Sequence, residues 1–334
     1  MKTFQRPTAR RSGLRRATAG LAVLAATSLA LTACGSDDDA EGTSLPRIAT
    51  VTAYPYIPVA LEQGYFADEF DTDDAPTVNP IGSANDAIAA LRSGNADIAV
   101  IGFDPANLVD VEDVVILASS EISPQTTRVV VPESSKVTEI SQLKGKKVAS
   151  YSASPNIAVV QSLNSAGLKV ADVEYVSLQN DAALSTLAGG GVDGWVTYDP
   201  SAASAEIEGV GRAIADGDDF GYLNPVFIYT TKKYLKENPE AVESTLEVYG
   251  EAIEWINANT DAAAGVVSEA TGLKKEIAAQ SLSHRNYALE PVEGDVVDFM
   301  ERLADINIEL GVSKGRPDYD AIIDNSVVSE ILAD

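Results

Sequence analysis

One pattern occurs twice in this chain, and it limits the folds open to it. The first copy runs Ala87-Ile88-Ala89-Ala90-Leu91, then Ser93-Gly94-Asn95-Ala96-Asp97, an apolar run, and Phe103-Asp104-Pro105. The second runs Ala183-Leu184-Ser185-Thr186-Leu187, then Gly189-Gly190-Gly191-Val192-Asp193, an apolar run, and Tyr198-Asp199-Pro200. Leu91 to Asp97 and Leu187 to Asp193 share one spacing, and beyond it the second copy is one residue shorter. Each copy has the order of a helix end, a glycine stop, a buried strand and an aromatic-Asp-Pro start to the next helix. Two such units predict two α/β lobes with matching edges and a cleft between them.

The rest of the chain extends this rhythm. Strand patterns fall at 47–53, 78–81, 98–101, 114–118 and 128–131, and again at 148–151, 173–177 and 225–230. Between them lie helix patterns, among them 57–63 stopped by Gly64, and one opened by 152–155 that runs to Gly167. Alternation of this kind predicts doubly wound parallel sheets. The C-terminal part is helical: Asn238-Pro239-Glu240 is a helix start. Val242, Leu246, Tyr249, Ile253 and Ile256 form one apolar stripe, and Val296, Met300, Leu303, Ile306 and Leu310 a second. Crossings between lobes are expected near Val131-Pro132 and near Pro225-Phe227. Lobe one is then 45–131 plus 228–334, lobe two is 132–227, and a two-segment hinge joins them for closing on a ligand.

Residues 1–33 are set apart from the fold. Lys2, Arg6, Arg10, Arg11, Arg15 and Arg16 precede an uncharged Ala/Leu-rich stretch that ends Leu31-Thr32-Ala33-Cys34. This is the make-up of a secretory signal peptide, and its end is similar to the bacterial lipoprotein signal, in which the Cys becomes the lipidated first residue. An uncleaved membrane anchor is the competing reading, and Arg10-Arg11 leaves twin-arginine export open beside the general route. Residues 34–44 are polar and acidic, the composition of a disordered tether. With Cys34, the only cysteine, lipidated, no thiol remains for a disulfide, a metal or a nucleophile. Loss of the six basic residues deepens the formal net charge from −26 to −32. Such a surface excludes nucleic acid as a partner, and it leaves any anionic ligand to local groups.

Several segments carry a resemblance. The stretch from Ile57-Pro58-Val59-Ala60 through Gly64-Tyr65-Phe66 resembles the first helix of bacterial solute-binding proteins of the aliphatic sulfonate, taurine and nitrate group. So do Ala90-Leu91-Arg92-Ser93-Gly94-Asn95-Ala96-Asp97, Leu143-Lys144-Gly145-Lys146-Lys147-Val148 and the stretch Val192-Asp193-Gly194-Trp195-Val196-Thr197-Tyr198-Asp199-Pro200; Arg285-Asn286-Tyr287 with Pro291 is looser. The likeness implies a type II periplasmic-binding-protein fold. It implies a monomeric, lipid-anchored protein on the outer face of the cell membrane that hands a small solute to an ABC permease, without a cofactor or a metal. An aliphatic sulfonate or taurine is the leading cargo. Nitrate, a thiamine pyrimidine precursor and a quaternary amine are alternatives. An enzyme of the pyrimidine-precursor synthase type is the alternative of another class, but that group relies on a Cys-rich motif and a reactive His, and this chain has one Cys and one His.

In open α/β sheets a ligand sits beyond the carboxyl ends of strands. Tyr54 and Tyr56 follow the first strand there as an aromatic wall. Ser83 and Asn85 sit at a helix N-terminus, where free N–H groups welcome an oxyanion, and Ser152 and Ser154 hold the equivalent point in lobe two. For both pairs plain N-capping competes. Asp104 and Asp199 are expected as helix caps rather than ligand groups, with Phe103, Trp195 and Tyr198 as apolar walls. Arg285 is the expected counter-ion for a buried oxyanion, while His284 is expected on the surface or in packing.

Overall fold

The computed structural model describes residues 44–50, 54–153 and 155–333. The expected signal, Cys34 and all of the tether but Ser44 lie outside the described residues, as does Ser154.

Four strands open the first sheet: β1 (Arg47–Thr50), β2 (Thr77–Pro80), β3 (Ile98–Gly102) and β4 (Val114–Ile122). The chain then crosses to build the second from β5 (Thr127–Pro132), β6 (Lys147–Ser150), β7 (Glu174–Ser177), β8 (Gly194–Tyr198) and β9 (Gly211–Asp216). It returns as β10 (Pro225–Thr231) and β11 (Tyr287–Glu290). The first sheet has the order β2-β1-β3-β10-β4-β11 and the second β7-β6-β8-β5-β9. The two orders match place for place, apart from the added edge strand β11. In each, the fourth place is filled by the strand that arrives from the other lobe.

Those two arrivals make the sheets mixed. β1 runs parallel to β2 and β3, and β6 to β7 and β8, as the strand-helix rhythm predicts. β10 is antiparallel to β3 and β4, and β5 to β8 and β9. The crossings also fall earlier than 131 and 225–227. β5 pairs with β8 and β9 from Thr127 onward, and β10 with β4 from Pro225, so the chain changes lobes at 123–126 and 221–224. The physical reason is that Val129, Val130 and Val131 are fully buried, and the backbone of such a strand needs partners on both edges, which only the receiving sheet supplies. Asn224 Nδ2 donates to Thr126 Oγ1 at 2.7 Å, which ties the two crossing segments together.

The repeated pattern lies where this symmetry requires it. The helix Ala84–Ser93 ends at Gly94, whose φ of 70° is left-handed, and its N–H returns to Ala90 and Leu91 carbonyls. The matching helix, Asn180–Ala188, instead has its left-handed residue one position later, at Gly190. Asp97 and Asp193 then begin β3 and β8 in the same way. Asp97 accepts from the Arg47 N–H at 2.8 Å, and Asp193 from the Lys147 N–H at 3.0 Å, so one carboxylate locks β1 to β3 and the other β6 to β8.

The C-terminal helices belong to the first lobe and reach over the second. Pro239–Ala258 buries all five residues of its stripe and packs on the helix Tyr56–Gln63. The helix Lys275–Ser283 packs against Ser201–Ile207 of the second lobe, with Gln280 donating to Glu206. In Asp295–Glu309, Met300 and Leu303 are buried, but Leu310 falls past the helix end and is exposed. Among the described residues, no helix is long and apolar enough to cross a membrane.

Candidate functional site

A cavity of about 510 Å³ opens between the sheets and takes its wall from both lobes. Grooves of 380 Å³ beside Lys232 and Asp320, and of 290 Å³ beside Ile140 and Asp219, each draw on one lobe only. The shared cavity therefore has the position that a closing cleft requires, and a volume ordinary for a small ligand. Matching loops of the two lobes line it. Tyr54 beyond β1 faces the loop of Tyr151 after β6, the helix start 82–85 faces Asn180, and Phe103-Asp104 after β3 answers Tyr198-Asp199 after β8. Thr126 and Asn224 of the crossing segments, and Tyr222, complete much of the rest.

Six of the ten expected ligand residues line this cavity: Tyr54, Ser83, Asn85, Phe103, Tyr198 and Arg285. Ser83 is spent as a cap, since its Oγ accepts from the Asp86 N–H at 3.2 Å and donates to the Asp86 carboxylate at 2.7 Å. The N–H groups of Ala84 and Asn85, in the first turn of this helix, have no intrahelical partner, and both residues line the cavity. Tyr54 runs beside Gly102, where an added Cβ would stand 3.6 Å from the phenol oxygen.

The other four lie elsewhere. Tyr56 is the first residue of its helix and turns into the core, where its hydroxyl meets Ser120 Oγ at 2.8 Å. Trp195 is in mid-strand in β8 and packs inward among Val130, Ala149 and Leu187; it follows the alternation of the strand, not the loop beyond it. Ser152 does not start a helix. The helix is Ile157–Ser165, capped by Asn156, whose Oδ1 accepts from the Val159 N–H at 3.1 Å, and Ser152 Oγ accepts from Asn156 Nδ2 at 3.4 Å. Ser154 is outside the described residues. In place of these the cavity has Tyr151 and Tyr222, at 6.0 and 6.4 Å from the Tyr198 ring. Tyr151 had a signal in the sequence, because it directly follows the second-lobe strand that corresponds to the one before Tyr54. Tyr222 had none, lying in a crossing segment outside both copies of the repeat.

The charges of the wall are nearly all engaged. Arg285 Nη1 donates to both oxygens of Glu121 at 2.8 Å, and both side chains are almost wholly buried. Burial raises the Glu121 carboxyl above its usual range, with the Arg285 charge pulling the other way; burial also disfavours the guanidinium, but Glu121 together with Tyr287, Asp199 and Tyr54 outweighs this and holds it firmly cationic. Among the described residues Arg285 Nε has no hydrogen-bond partner. Asp104 Oδ1 accepts from the Ala106 N–H at 3.0 Å and from Asn307 at 2.9 Å, and Asp199 accepts from the Ala203 N–H at 2.9 Å. Asp104 thus holds a single 3-10 turn, Pro105–Asn107, and Asp199 reaches the first turn of Ser201–Ile207 from one residue before its N-cap, Pro200, so neither is the plain helix cap expected. His284 is not a surface residue: its Nδ1 lies 2.6 Å from Asp199 Oδ2, bridging the C-terminal helices to the second lobe. Burial drives the hydroxyls of Tyr54, Tyr198 and Tyr222 to high pKa, so the aromatic wall is uncharged at neutral pH. Among the described residues, no three His, Cys, Asp or Glu side chains are grouped to hold a metal ion.

Known proteins match this arrangement. A family model described as NMT1/THI5 like matches residues 53–263, more than half of the chain. A protein of Escherichia coli (strain K12) named for binding aliphatic sulfonates is 26% identical over 227 residues, 66% of this chain and 70% of the relative. The solved periplasmic aliphatic sulphonate binding protein SsuA from Escherichia coli superposes with a TM-score of 0.76 at 22% identity, covering 83% of this chain and 96% of that one. The alkanesulfonate-binding protein SsuA from Xanthomonas axonopodis pv. citri, bound to MOPS, gives 0.72 at 20% identity, with coverage of 83% and 96%. The superpositions establish the fold as the periplasmic-binding-protein architecture that the resemblance implied.

Proposed function

The chain belongs to the NMT1/THI5-like family, and from that premise we propose that it is an extracytoplasmic solute-binding protein that closes on a small organic sulfonate and delivers it to an ABC permease. The observation that carries this reading is the cavity shared by corresponding loops of both lobes. The N–H groups of Ala84 and Asn85 receive the sulfonate oxygens, helped by the dipole of a ten-residue helix. The Arg285 guanidinium adds positive potential from the floor. Tyr54, Phe103 and Tyr198 give the alkyl chain its apolar walls. Local capture of this kind is what a chain of net charge −26 needs, because its surface repels anions at long range.

Motion belongs to the same proposal. The lobes close about 123–126 and 221–224, with the Thr126–Asn224 bond at the pivot. The protein works as a monomer, held at the outer face of the membrane by a lipid on Cys34, and it binds without turning its ligand over. Calorimetry against ethanesulfonate, butanesulfonate, taurine, nitrate and betaine tests the cargo: heat with sulfonates is expected, and silence with every sulfonate overturns it. NMR of the ligand after prolonged incubation should show it unchanged, whereas a new product would make the protein an enzyme. Saturating ligand should also reduce the radius of gyration in small-angle scattering, and constant dimensions would count against hinge closure.

A further inference from the structure

Besides the two crossings, a side-chain contact joins the lobes, and it holds the only histidine of the chain. The helix Lys275–Ser283 lies along Ser201–Ile207 of the second lobe. Lys274 Nζ meets Glu208 at 2.9 Å, Gln280 donates to Glu206, and His284 Nδ1 lies 2.6 Å from Asp199 Oδ2. Between these points Pro200 faces Ala278, Ser281 and Leu282 across a void of about 20 Å³. Glu206 is itself held by Arg128 and by the Ala213 N–H, which anchors the contact in the second sheet. On the other side the Asn286 N–H donates to Ser123 Oγ at 2.8 Å, and the Ile122 N–H to the Asn286 carbonyl at 3.2 Å. His284 therefore stands between the crossing segment and the second lobe. Its partner Asp199 and its neighbour Arg285 both line the cavity, so the contact runs along an edge that the lobes share.

The inner end of this contact responds to protons. The Asp199 side chain has no exposed surface, and that of His284 is 12% exposed. A neutral ring can donate one hydrogen bond there, whereas a protonated ring adds charge–charge attraction in a place poor in water. His284 is also the C-cap of a nine-residue helix, whose dipole favours a cation. The other charges around it are paired or in solvent. Glu121 pairs with Arg285, Arg128 with Glu206, Lys274 with Glu208, and Lys275 with Asp261 of the adjoining helix Thr260–Thr271. Glu269 of that helix and Glu276 are exposed. We propose that His284 and Asp199 form a proton-dependent clasp, made when the lobes close and parted when they open, so that a protonated ring favours the closed form. This rests on the reading that the lobes close on a solute, and it adds what sets the balance between open and closed forms before a solute arrives.

Small-angle scattering of the purified, solute-free protein tests the clasp at about pH 6 and about pH 8, on either side of the range in which imidazoles change charge. The radius of gyration should be larger at the higher pH. His284→Asn keeps a hydrogen-bond donor without a titrating charge, and it should abolish the difference. Lys274→Met, at the exposed outer end of the contact, should retain it. Constant dimensions of the unsubstituted protein overturn the clasp, whether or not the variants fold. A difference that persists in His284→Asn traces to another group, Glu121 foremost, and overturns it too. Loss of the difference in Lys274→Met as well would make the helix contact at large the sensor, and the ring would lose its role. Saturating butanesulfonate, measured beside these samples, keeps the two readings apart. Compaction by butanesulfonate with no response to pH overturns the clasp and leaves the solute-binding reading standing. A response to pH that depends on His284, with no compaction by butanesulfonate, supports the clasp and counts against solute-driven closure.

Discussion

Asp97 in the first lobe and Asp193 in the second occupy the same place in a repeated pattern, yet their surroundings differ. Asp97 is nearly buried, and besides the Arg47 N–H it takes two guanidinium bonds at 2.6 and 2.8 Å. Asp193 has a single lysine ammonium at 3.3 Å, and its side chain is 42% exposed. The same contrast recurs at the cavity. The first lobe holds a fully buried ion pair, Glu121–Arg285, whereas the second supplies uncharged tyrosines and keeps the outer pair Lys147–Glu174 in solvent. Two copies of one architecture thus differ where they meet the cavity: the first lobe brings a buried ion pair beside Tyr54 and Phe103, and the second brings Tyr151 and Tyr198 beside Asp199.

Substitutions can break or sharpen that contrast. Glu121→Ala should have the largest effect, because it leaves the Arg285 guanidinium buried without its partner, a loss of about 3–5 kcal/mol. Glu174→Ala in the second lobe should cost no more than about 1 kcal/mol, as exposed pairs do. Urea unfolding of both variants measures the gap, and similar midpoints would erase the proposed asymmetry. Next in size, Asp97→Ala should cost about 2–3 kcal/mol through lost charge-assisted bonds, against about 1 kcal/mol or less for Asp193→Ala. Smallest is the pair of helix stops. Gly94→Ala forces an L-residue into the left-handed region and should cost about 1–2 kcal/mol. Gly189→Ala, at a right-handed φ of −80° with ordinary contact distances, should be close to neutral. Equal thermal shifts for these two would mean that the second stop does not lie at Gly190.

Much of this was legible in the sequence because it is local. The helix ending at Gly64 and the strand rhythm follow from spacing and from residues whose preferences act over a turn or two. The crossing strands were misplaced because hydrophobic runs such as Val129-Val130-Val131 announce burial without naming the sheet. Trp195 and Tyr56 were drawn to the cavity by their proximity to loop residues. Which way each side chain points depends on strand alternation in one case and on the exit angle after Pro55 in the other. His284 and Glu121 gained their roles only from pairing across 85 and 164 residues of chain, a distance at which single-sequence patterns carry no signal.

The strand order also sets a timetable. β3 and β4 never touch each other, because β10 lies between them, so the first sheet has a gap until residue 225 has been made. Every strand of the second sheet lies within 127–216. A chain that emerges N-terminus first completes its second lobe while β3 is still open on one edge and β4 on both, and such edges are where unfinished chains misassociate. The part of the protein that is written first is the last to be built.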